Sequence, residues 1–219
     1  MAPGTGVSAR ALAPAMSHLI LLGDSIFDNA RYVPGEPDVV RQVQAVLPAG
    51  WRASLLAVDG ATTHSLERQL ARLPGDATHL VISMGGNNAL GASHTLYAQV
   101  PSVAEAVKRL GEAQARFAAD YLAALEQAVA TGLPTAICTI YDTPPRPEQA
   151  IIRTALAVFN DVITRAAFRQ GLPLIDLRLL LDEEADYANP IEPSAQGGAK
   201  MASAIARLAE SDWRLQVVA

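Results

Sequence analysis

The stretch LILLGDSIFDN, residues 19–29, decides the fold class of this chain. Its four leading apolar residues are typical of a strand that is buried on both faces, and a Gly, an Asp and a Ser follow at once. In α/β domains, ligands bind where such strands end. The stretch therefore predicts a buried parallel strand that delivers polar side chains to a functional edge, and further strands of this kind are expected along the chain.

Four more apolar runs have the length of strands and are bounded by Gly, Pro, Asp or Asn. The five predicted strands are residues 18–22, 53–58, 80–84, 135–141 and 174–177. Apolar residues at helical spacing predict helices at 103–129, at 152–163 with closure at Gly171, and at about 194–210. This alternation predicts an α/β fold in which helices cover both faces of a five-stranded parallel sheet.

The bulk composition limits the function classes. The chain has 219 residues with a net charge of −5, which gives no basic footprint for nucleic acid. No apolar run reaches the roughly 18 residues that a membrane span needs. We predict one domain over 17–219, preceded by a flexible, Pro-rich extension over 1–16 that lacks the apolar core of a signal peptide. The single cysteine, Cys138, allows no internal disulfide, which favours a cytoplasmic location, and because it lies in an apolar run it is predicted to be a core thiol.

Polar residues and glycines follow all five predicted strands. Right-handed crossovers place the ends of parallel strands at one edge, so these loops are expected to meet there. They are GDS at 23–25, Asp59 with Gly60, GGNN at 85–88, Asp142 with Thr143, and DYANPIEPSAQGG at 186–198. Such residues are also ordinary turn formers, so no single loop decides between a site and a turn. Metal-binding and nucleotide-binding motifs do not occur among them, and no cofactor is predicted.

Three of these loops carry a family resemblance. GDS after the first strand, the isolated Gly60 after the second and GGNN after the third resemble the first three sequence blocks of the SGNH hydrolases, also called GDSL esterases. The stretch PSAQGGAKMA at 193–202 resembles the end of the family's last block. The resemblance implies a flavodoxin-like, three-layer α/β/α sandwich around a five-stranded parallel sheet. It also implies a small-molecule ester as substrate, and it leaves the oligomeric state open.

Carried over by position, the resemblance implies that Ser25 is the nucleophile. It implies an oxyanion hole made of the backbone N–H groups of Ser25 and Gly60 and the side-chain amide of Asn87. Asp24 is expected to be a structural hydrogen-bonding partner of the neighbouring loops. Residues 26–37 and 143–147 are expected to wall the pocket.

The resemblance breaks in the last block, which in the family reads D-x-x-H. The matching positions here hold Asn189 and Glu192, so the expected histidine base and its aspartate are missing. Three hypotheses remain open. The site has lost catalysis, or another histidine serves as the base, with His94 ahead of His64, or Glu192 itself activates Ser25.

One chemical detail favours Glu192 as the base. An ionised Glu has no N–H for an aspartate to accept, whereas an Asn amide can donate to a carboxylate. We therefore predict that Asn189 orients Glu192 and that Ser25 cleaves carboxylic esters through an acyl-enzyme. The alternative is a catalytically inactive protein of the same fold that binds an acyl or sugar ligand. The function of a flavodoxin or of a receiver domain is disfavoured by the position of GDS and of the G-x-N loop. The loops also contain no acidic cluster suited to Mg²⁺.

Overall fold

A parallel sheet forms the centre of the molecule. The computed structural model describes residues 16–214 and 217–218. In chain order its strands are β1 Ser17–Gly23, β2 Trp51–Leu55, β3 His79–Ser83, β4 Thr135–Cys138, β5 Leu174–Ile175, β6 Tyr187–Asn189, β7 Glu192–Pro193 and β8 Val217–Val218. The main sheet has the order β2-β1-β3-β4-β5-β8, and every pairing in it is parallel. The predicted five-stranded parallel sheet is confirmed, and the two-residue β8 extends its edge. The predicted N-terminal extension lies, apart from Met16, outside the described residues.

Helices cover both faces of this sheet. Their bounds are α1 Val39–Val46, α2 Leu66–Leu70, α3 Gly86–Gly91, α4 Val103–Val129, α5 Ala150–Gln170, α6 Leu177–Leu180 and α7 Ala195–Ala209. The three helices expected from apolar periodicity, α4, α5 and α7, are confirmed. Gly171 closes α5 in a left-handed conformation with φ of 65°, and the Ser194 side chain caps α7 by accepting from the N–H of Gly197.

The first strand explains the three layers. Its side chains alternate between the two faces of the sheet. Leu19 and Leu21 belong to a core that includes side chains of α1 and α7, whereas Ile20 and Leu22 belong to the core of α2, α4 and α5. All four are fully buried. One uninterrupted apolar strand therefore joins two cores, and it can end only at an edge of the sheet.

The fourth strand is shorter than predicted, for a local reason. The prediction extended it to Tyr141, but it ends at Cys138. The buried Asn160 of α5 accepts from the N–H of Ile140 and donates to the carbonyl of Ile140, each at 2.8 Å. A side chain thus replaces the neighbouring strand, and the segment is freed to turn toward the edge of the sheet.

Glycine at position 23 is required where β1 leaves the sheet. Its φ is 122°, and a Cβ there would lie 1.7 Å from the carbonyl oxygen of Ser83 in β3. The side chain of Gln69 holds this glycine by bonding both its N–H and its carbonyl at 2.8 Å. This close approach fixes the direction in which Asp24 and Ser25 leave the strand.

Candidate active site

Ser25 lies in a single turn directly after β1. The backbone N–H groups of Phe27 and Asp28 both donate to the carbonyl of Asp24, which closes this turn. The first α-helix after this turn, α1, begins only at Val39. The Ser25 side chain is 7% exposed and lines a cleft at the carboxyl edge of the sheet.

Glu192 reaches the same cleft from the small hairpin of β6 and β7. Two contacts hold this hairpin near the edge of the main sheet. The Tyr141 hydroxyl donates to the carbonyl of Ile191, and the buried Asn29 donates to the carbonyl of Pro193 at 3.4 Å. Glu192 is 3% exposed and lines the cleft with Ser25. The structure therefore brings together the serine and the glutamate that the sequence predicted as nucleophile and base.

The surroundings of Glu192 raise its pKa to about 7. Burial is the largest cause, because it penalises the ionised carboxylate, and the negative charge of Asp59 acts in the same direction. A hydrogen bond from the Ser25 side chain and the positive charge of Arg31 lower it in part. A carboxyl that titrates near neutrality is matched to taking up and returning a proton at physiological pH.

A second carboxyl, that of Asp24, faces the same cleft. Its Oδ1 accepts from the N–H of Ile26 at 3.2 Å, as expected for a structural role. Burial raises the pKa of Asp24 to about 7 against this hydrogen bond, and the charge of Glu192 raises it further. The floor of the cleft therefore carries two carboxyls that resist ionising together.

The three predicted oxyanion donors come from the segments after three different strands, and two of these segments are joined. Asn87 lies in α3 and lines the cleft, and its Nδ2 donates to the carbonyl of Ala61 at 2.9 Å. This contact fixes the amide beside the Gly60 turn and leaves its second hydrogen for another acceptor. Within residues 16–214, no acceptor pairs with the backbone N–H of Ser25 or of Gly60.

Asn88, the last residue of the GGNN stretch, has a structural contact. It donates to the hydroxyl of Thr63 at 3.0 Å and accepts from the N–H of Thr63 at 3.1 Å. These reciprocal bonds join α3 to the loop after β2. They keep the Asn87 and Gly60 loops in a fixed relation.

Asn189 lies opposite Glu192 in the β6–β7 hairpin, but the predicted hydrogen bond from its side chain to Oε2 is not formed. Its Oδ1 accepts from the N–H of Ile191, two residues on, at 2.9 Å, and it lines a separate shallow groove with Pro144 and Arg146. Glu192 keeps one carboxylate oxygen, Oε2, buried and without a partner among the described residues. The side-chain oxygen of the asparagine is thus used by its own turn, a local contact that is common for this residue type, and its amide group makes no hydrogen bond to Oε2 of Glu192.

The two alternative histidines are not brought to the serine. His94 is exposed, and its Nδ1 lies 3.1 Å from the carbonyl oxygen of Gly91. His64 is exposed as well, with Nε2 3.8 Å from Asp120. Neither is among the residues that line the cleft.

The walls of the cleft come mainly from helices that the sequence analysis did not assign to it. Of the two loops predicted as walls, 26–37 contributes Ile26 and 143–147 contributes Thr143. The cleft offers about 120 Å³, and most of its lining is apolar. The larger apolar side chains that line it come from α3, α4, α5 and the segments beside them: Leu90, Leu96, Leu110, Ile140, Ile152, Leu156 and Phe159. Periodicity in α4 and α5 predicted their core faces, but it cannot tell which turns overhang a cleft.

The described residues lack two features, a cluster of metal ligands and a membrane-spanning helix. They contain no group of three or more His, Cys, Asp or Glu side chains placed to hold a metal ion. Within the same residues, no helix combines the length and the apolar character that crossing a membrane requires.

Comparison with known families gives a match over most of the chain. The model of the GDSL-like lipase/acylhydrolase family matches residues 21–200. The matched range includes Ser25, Gly60, Asn87 and Glu192. Comparison with curated protein sequences yields no significant match.

Solved structures with the same fold include several hydrolases. An extracellular lipase from Streptomyces rimosus has a TM-score of 0.62 and 19% identity, covering 84% of this chain and 95% of its own. An acetylxylan esterase from Geobacillus stearothermophilus has a TM-score of 0.62 and 21% identity, covering 91% and 97%. A phospholipase A1 from Streptomyces albidoflavus has a TM-score of 0.59 and 18% identity, covering 85% and 96%. At these identities the likeness establishes the fold.

Proposed function

Because the chain belongs to the GDSL-like lipase/acylhydrolase family, we propose that it hydrolyses carboxylic esters through an acyl-enzyme on Ser25, with Glu192 as the general base. One observation carries the proposal. The Ser25 and Glu192 side chains line one apolar cleft, and burial raises the pKa of the Glu192 carboxyl to about 7. A buried carboxylate in hydrogen-bonding range of a serine is suited to accept its proton.

Acylation follows from this arrangement. The Ser25 oxygen attacks the ester carbonyl carbon while its proton passes to Glu192. The tetrahedral oxyanion accepts from the unpaired N–H groups of Ser25 and Gly60 and from the second amide hydrogen of Asn87. The intermediate then collapses, and the departing alkoxide takes the proton back from Glu192.

Deacylation repeats the proton path with water. The water oxygen attacks the acyl carbon while Glu192 accepts a proton from the water. The proton then returns from Glu192 to Ser25 as the acid leaves. One ester and one water give one acid and one alcohol, and no redox partner is needed. A carboxylate base faces an oxyanion of the same sign, so we expect turnover below that of a comparable histidine site.

The lining of the cleft favours an apolar acyl group longer than acetyl. Leu110 on α4 and Leu156 on α5 contribute to its apolar walls. Burying each additional methylene of an acyl chain against such walls contributes about 0.8 kcal/mol. Two carboxyls at the floor, Asp24 and Glu192, disfavour a negatively charged acyl group.

The test combines a substrate series with an active-site probe. Nitrophenyl esters from acetate to octanoate are assayed, and a fluorophosphonate is used to label the nucleophile. We expect labelling at Ser25 and a rise in kcat/KM beyond acetate. Ser25→Ala should abolish labelling and lower kcat/KM by about 10⁴-fold or more. Ser203→Ala, on the exposed face of α7, is the matched control.

The possible results separate the two candidate functions. Wild-type protein that neither turns over any ester nor reacts with the probe, yet shows the folded structure, would refute the hydrolase. Saturable binding of a fatty acid by such a protein would identify the inactive, acyl-binding alternative. Labelling that persists in Ser25→Ala would refute the assignment of the nucleophile.

A further inference from the structure

Glu192 lacks a hydrogen-bond donor to one of its two carboxylate oxygens. Its Oε2 is buried and has no hydrogen-bonding partner among the described residues. A buried carboxylate oxygen without a donor is costly when the group is ionised. Asn189, the donor predicted from the sequence, makes no hydrogen bond to this oxygen. A base that must ionise repeatedly needs a donor from elsewhere.

The hydroxyl of Thr143 also lacks a hydrogen-bonding partner. Its side chain is 6% exposed, and its Oγ1 is buried without a partner. In the described part of the chain only three buried polar side-chain atoms lack a partner, and the third is Nε1 of Trp213. Thr143 and Glu192 are the two that line the cleft. One of them can donate a hydrogen bond, and the other can accept it.

The fold places these two residues on adjoining segments. The Tyr141 hydroxyl donates to the carbonyl of Ile191, the neighbour of Glu192. The Tyr187 hydroxyl donates to the carbonyl of Asp142, the neighbour of Thr143. The rings of these two tyrosines also contact each other, with centroids 5.8 Å apart. Two bonds therefore fasten the segment after β4 to the hairpin that carries the base.

We propose that Thr143 is a positioning residue, whose hydroxyl donates a hydrogen bond to Oε2 of Glu192 when an ester occupies the cleft. The bond fixes one carboxylate oxygen and leaves the other directed at Ser25. Catalytic hydrogen bonds are often loose in a free enzyme and tighten in the substrate complex. In this arrangement a threonine on a different strand end takes the place of the orienting third member of a triad. The inference rests on the proposed function of Glu192.

A hydrogen bond to the ionised form lowers the pKa of a carboxyl. Removing the Thr143 hydroxyl should therefore raise the apparent pKa in the pH dependence of kcat by about one unit. Other titratable or charged groups interact with the same carboxyl and are unchanged by this substitution. They are Asp24 after β1, Arg31 and Tyr32 in the loop before α1, Asp59 after β2 and Tyr141 after β4.

The experiment compares three variants with the wild type, using a nitrophenyl ester between pH 5 and 9. Thr143→Val removes the donor at constant shape, and Thr143→Ser retains it. The control is Thr139→Val, because Thr139 is equally buried, but its hydroxyl donates to Asp176 at 3.0 Å and accepts from the N–H of Leu177 at 2.9 Å. Urea unfolding of each variant is measured in parallel.

We expect Thr143→Val to lower kcat about tenfold to a hundredfold, to raise the apparent pKa and to leave stability unchanged or higher, because an unpaired hydroxyl is lost. Thr143→Ser should restore both kcat and the pKa. Thr139→Val should destabilise the fold while the pH profile stays in place. If Thr143→Val keeps the wild-type kcat and pKa, or if Thr143→Ser fails to rescue, the inference is overturned.

Failure of this inference is distinguishable from failure of the proposed function. Fluorophosphonate labelling of Ser25 and loss of activity in Glu192→Gln test the function without involving Thr143. A protein that passes both tests but does not respond to Thr143→Val is a hydrolase whose base has another donor.

Discussion

Two ionisable side chains, one at the amino ends and one near the carboxyl ends of the strands, are buried to the same degree but differ in their hydrogen bonds. His18 begins β1 and is 2% exposed, and Glu192, at the carboxyl edge, is 3% exposed. Both nitrogens of His18 have partners. Nδ1 lies 3.0 Å from Asp76 and Nε2 lies 2.7 Å from the hydroxyl of Ser54. Glu192 has an oxygen without any partner among the described residues.

We interpret the difference as that between a structural polar cluster and the reactive cluster that we propose. A buried polar group whose bonds are complete rigidifies its surroundings and has no capacity for another ligand. A buried carboxyl with an open oxygen and a raised pKa costs stability, and such groups concentrate at functional sites. Burial alone would have ranked the two residues equally, so the satisfaction of their hydrogen bonds is the informative quantity.

The largest expected effect tests the reactive side of this comparison. Glu192→Gln should lower kcat/KM toward nitrophenyl esters by about 10³-fold, because an amide cannot accept the serine proton. The variant should unfold at the same or a higher urea concentration, since no charge remains to be buried. Glu112→Gln, on an exposed part of α4, should leave both quantities unchanged. Retention of a tenth of the activity by Glu192→Gln would remove the glutamate from the mechanism.

The reverse pattern is expected at the other edge. His18→Leu removes two hydrogen bonds at a similar volume and should lower the free energy of unfolding by about 2 kcal/mol. The kcat per folded molecule should stay within twofold, because His18 lies at the edge opposite the cleft. Urea unfolding and active-site titration measure the two quantities. A loss of kcat in folded His18→Leu would show that the two edges are coupled.

Within the cleft, the sequence predicted the surroundings of Ser25 better than those of Glu192. GDS, Gly60 and GGNN identified Ser25 and the loops around it, because a buried strand that ends in such residues allows few alternatives. The partner of Glu192 was beyond sequence reasoning. The sequence predicted that Glu192 needs a donor, but the side-chain oxygen of the neighbouring Asn189 bonds its own turn and its amide does not reach Oε2 of Glu192. Thr143 is separated from Glu192 by more than forty residues, and two tyrosine contacts that no local pattern predicts fasten their segments together.

The pH dependence of stability should show the two clusters in separate windows. The folded pKa of Glu192, about 7, lies above its ordinary value of 4.5, so its contribution is full below pH 4.5 and is lost as the pH rises through 7. At about 1.4 kcal/mol per pKa unit, the loss is at most about 3.5 kcal/mol. Hydrogen bonds from His18 and Arg52 lower the pKa of Asp76, so its contribution exists above about pH 3.8 and is lost as the pH falls through its folded pKa.

Urea unfolding of the wild type from pH 3 to 8 measures both limbs. Glu192→Gln should flatten the neutral limb and leave the acid limb, whereas His18→Leu should weaken the acid limb alone. A neutral limb that persists in full in Glu192→Gln would assign it to another group. Asp24 is then the group to test, because burial also raises its pKa to about 7.

A smaller effect is expected from the second carboxyl in the cleft. The wild-type kcat/KM should rise with pH through an apparent pKa of about 7, set by Glu192. Asp24→Asn removes a neighbouring negative charge and keeps the oxygen that accepts from Ile26. The apparent pKa should therefore fall by less than one unit, with the plateau rate within a fewfold. An unchanged pKa would mean that the two carboxyls do not interact across the cleft.

The smallest effect is expected from the residue that sequence reasoning paired with Glu192. Asn189→Ala should cost about 1 kcal/mol of stability, because the bond from the N–H of Ile191 is lost. The kcat and the apparent pKa should stay within error of the wild type, as they should in His94→Ala, which changes a histidine outside the cleft. If instead Asn189→Ala raised the apparent pKa as Thr143→Val is expected to do, the asparagine would turn toward Oε2 in the substrate complex. The donor to the base would then come from its own hairpin, and the open oxygen of Glu192 would mark a rearrangement within β6 and β7.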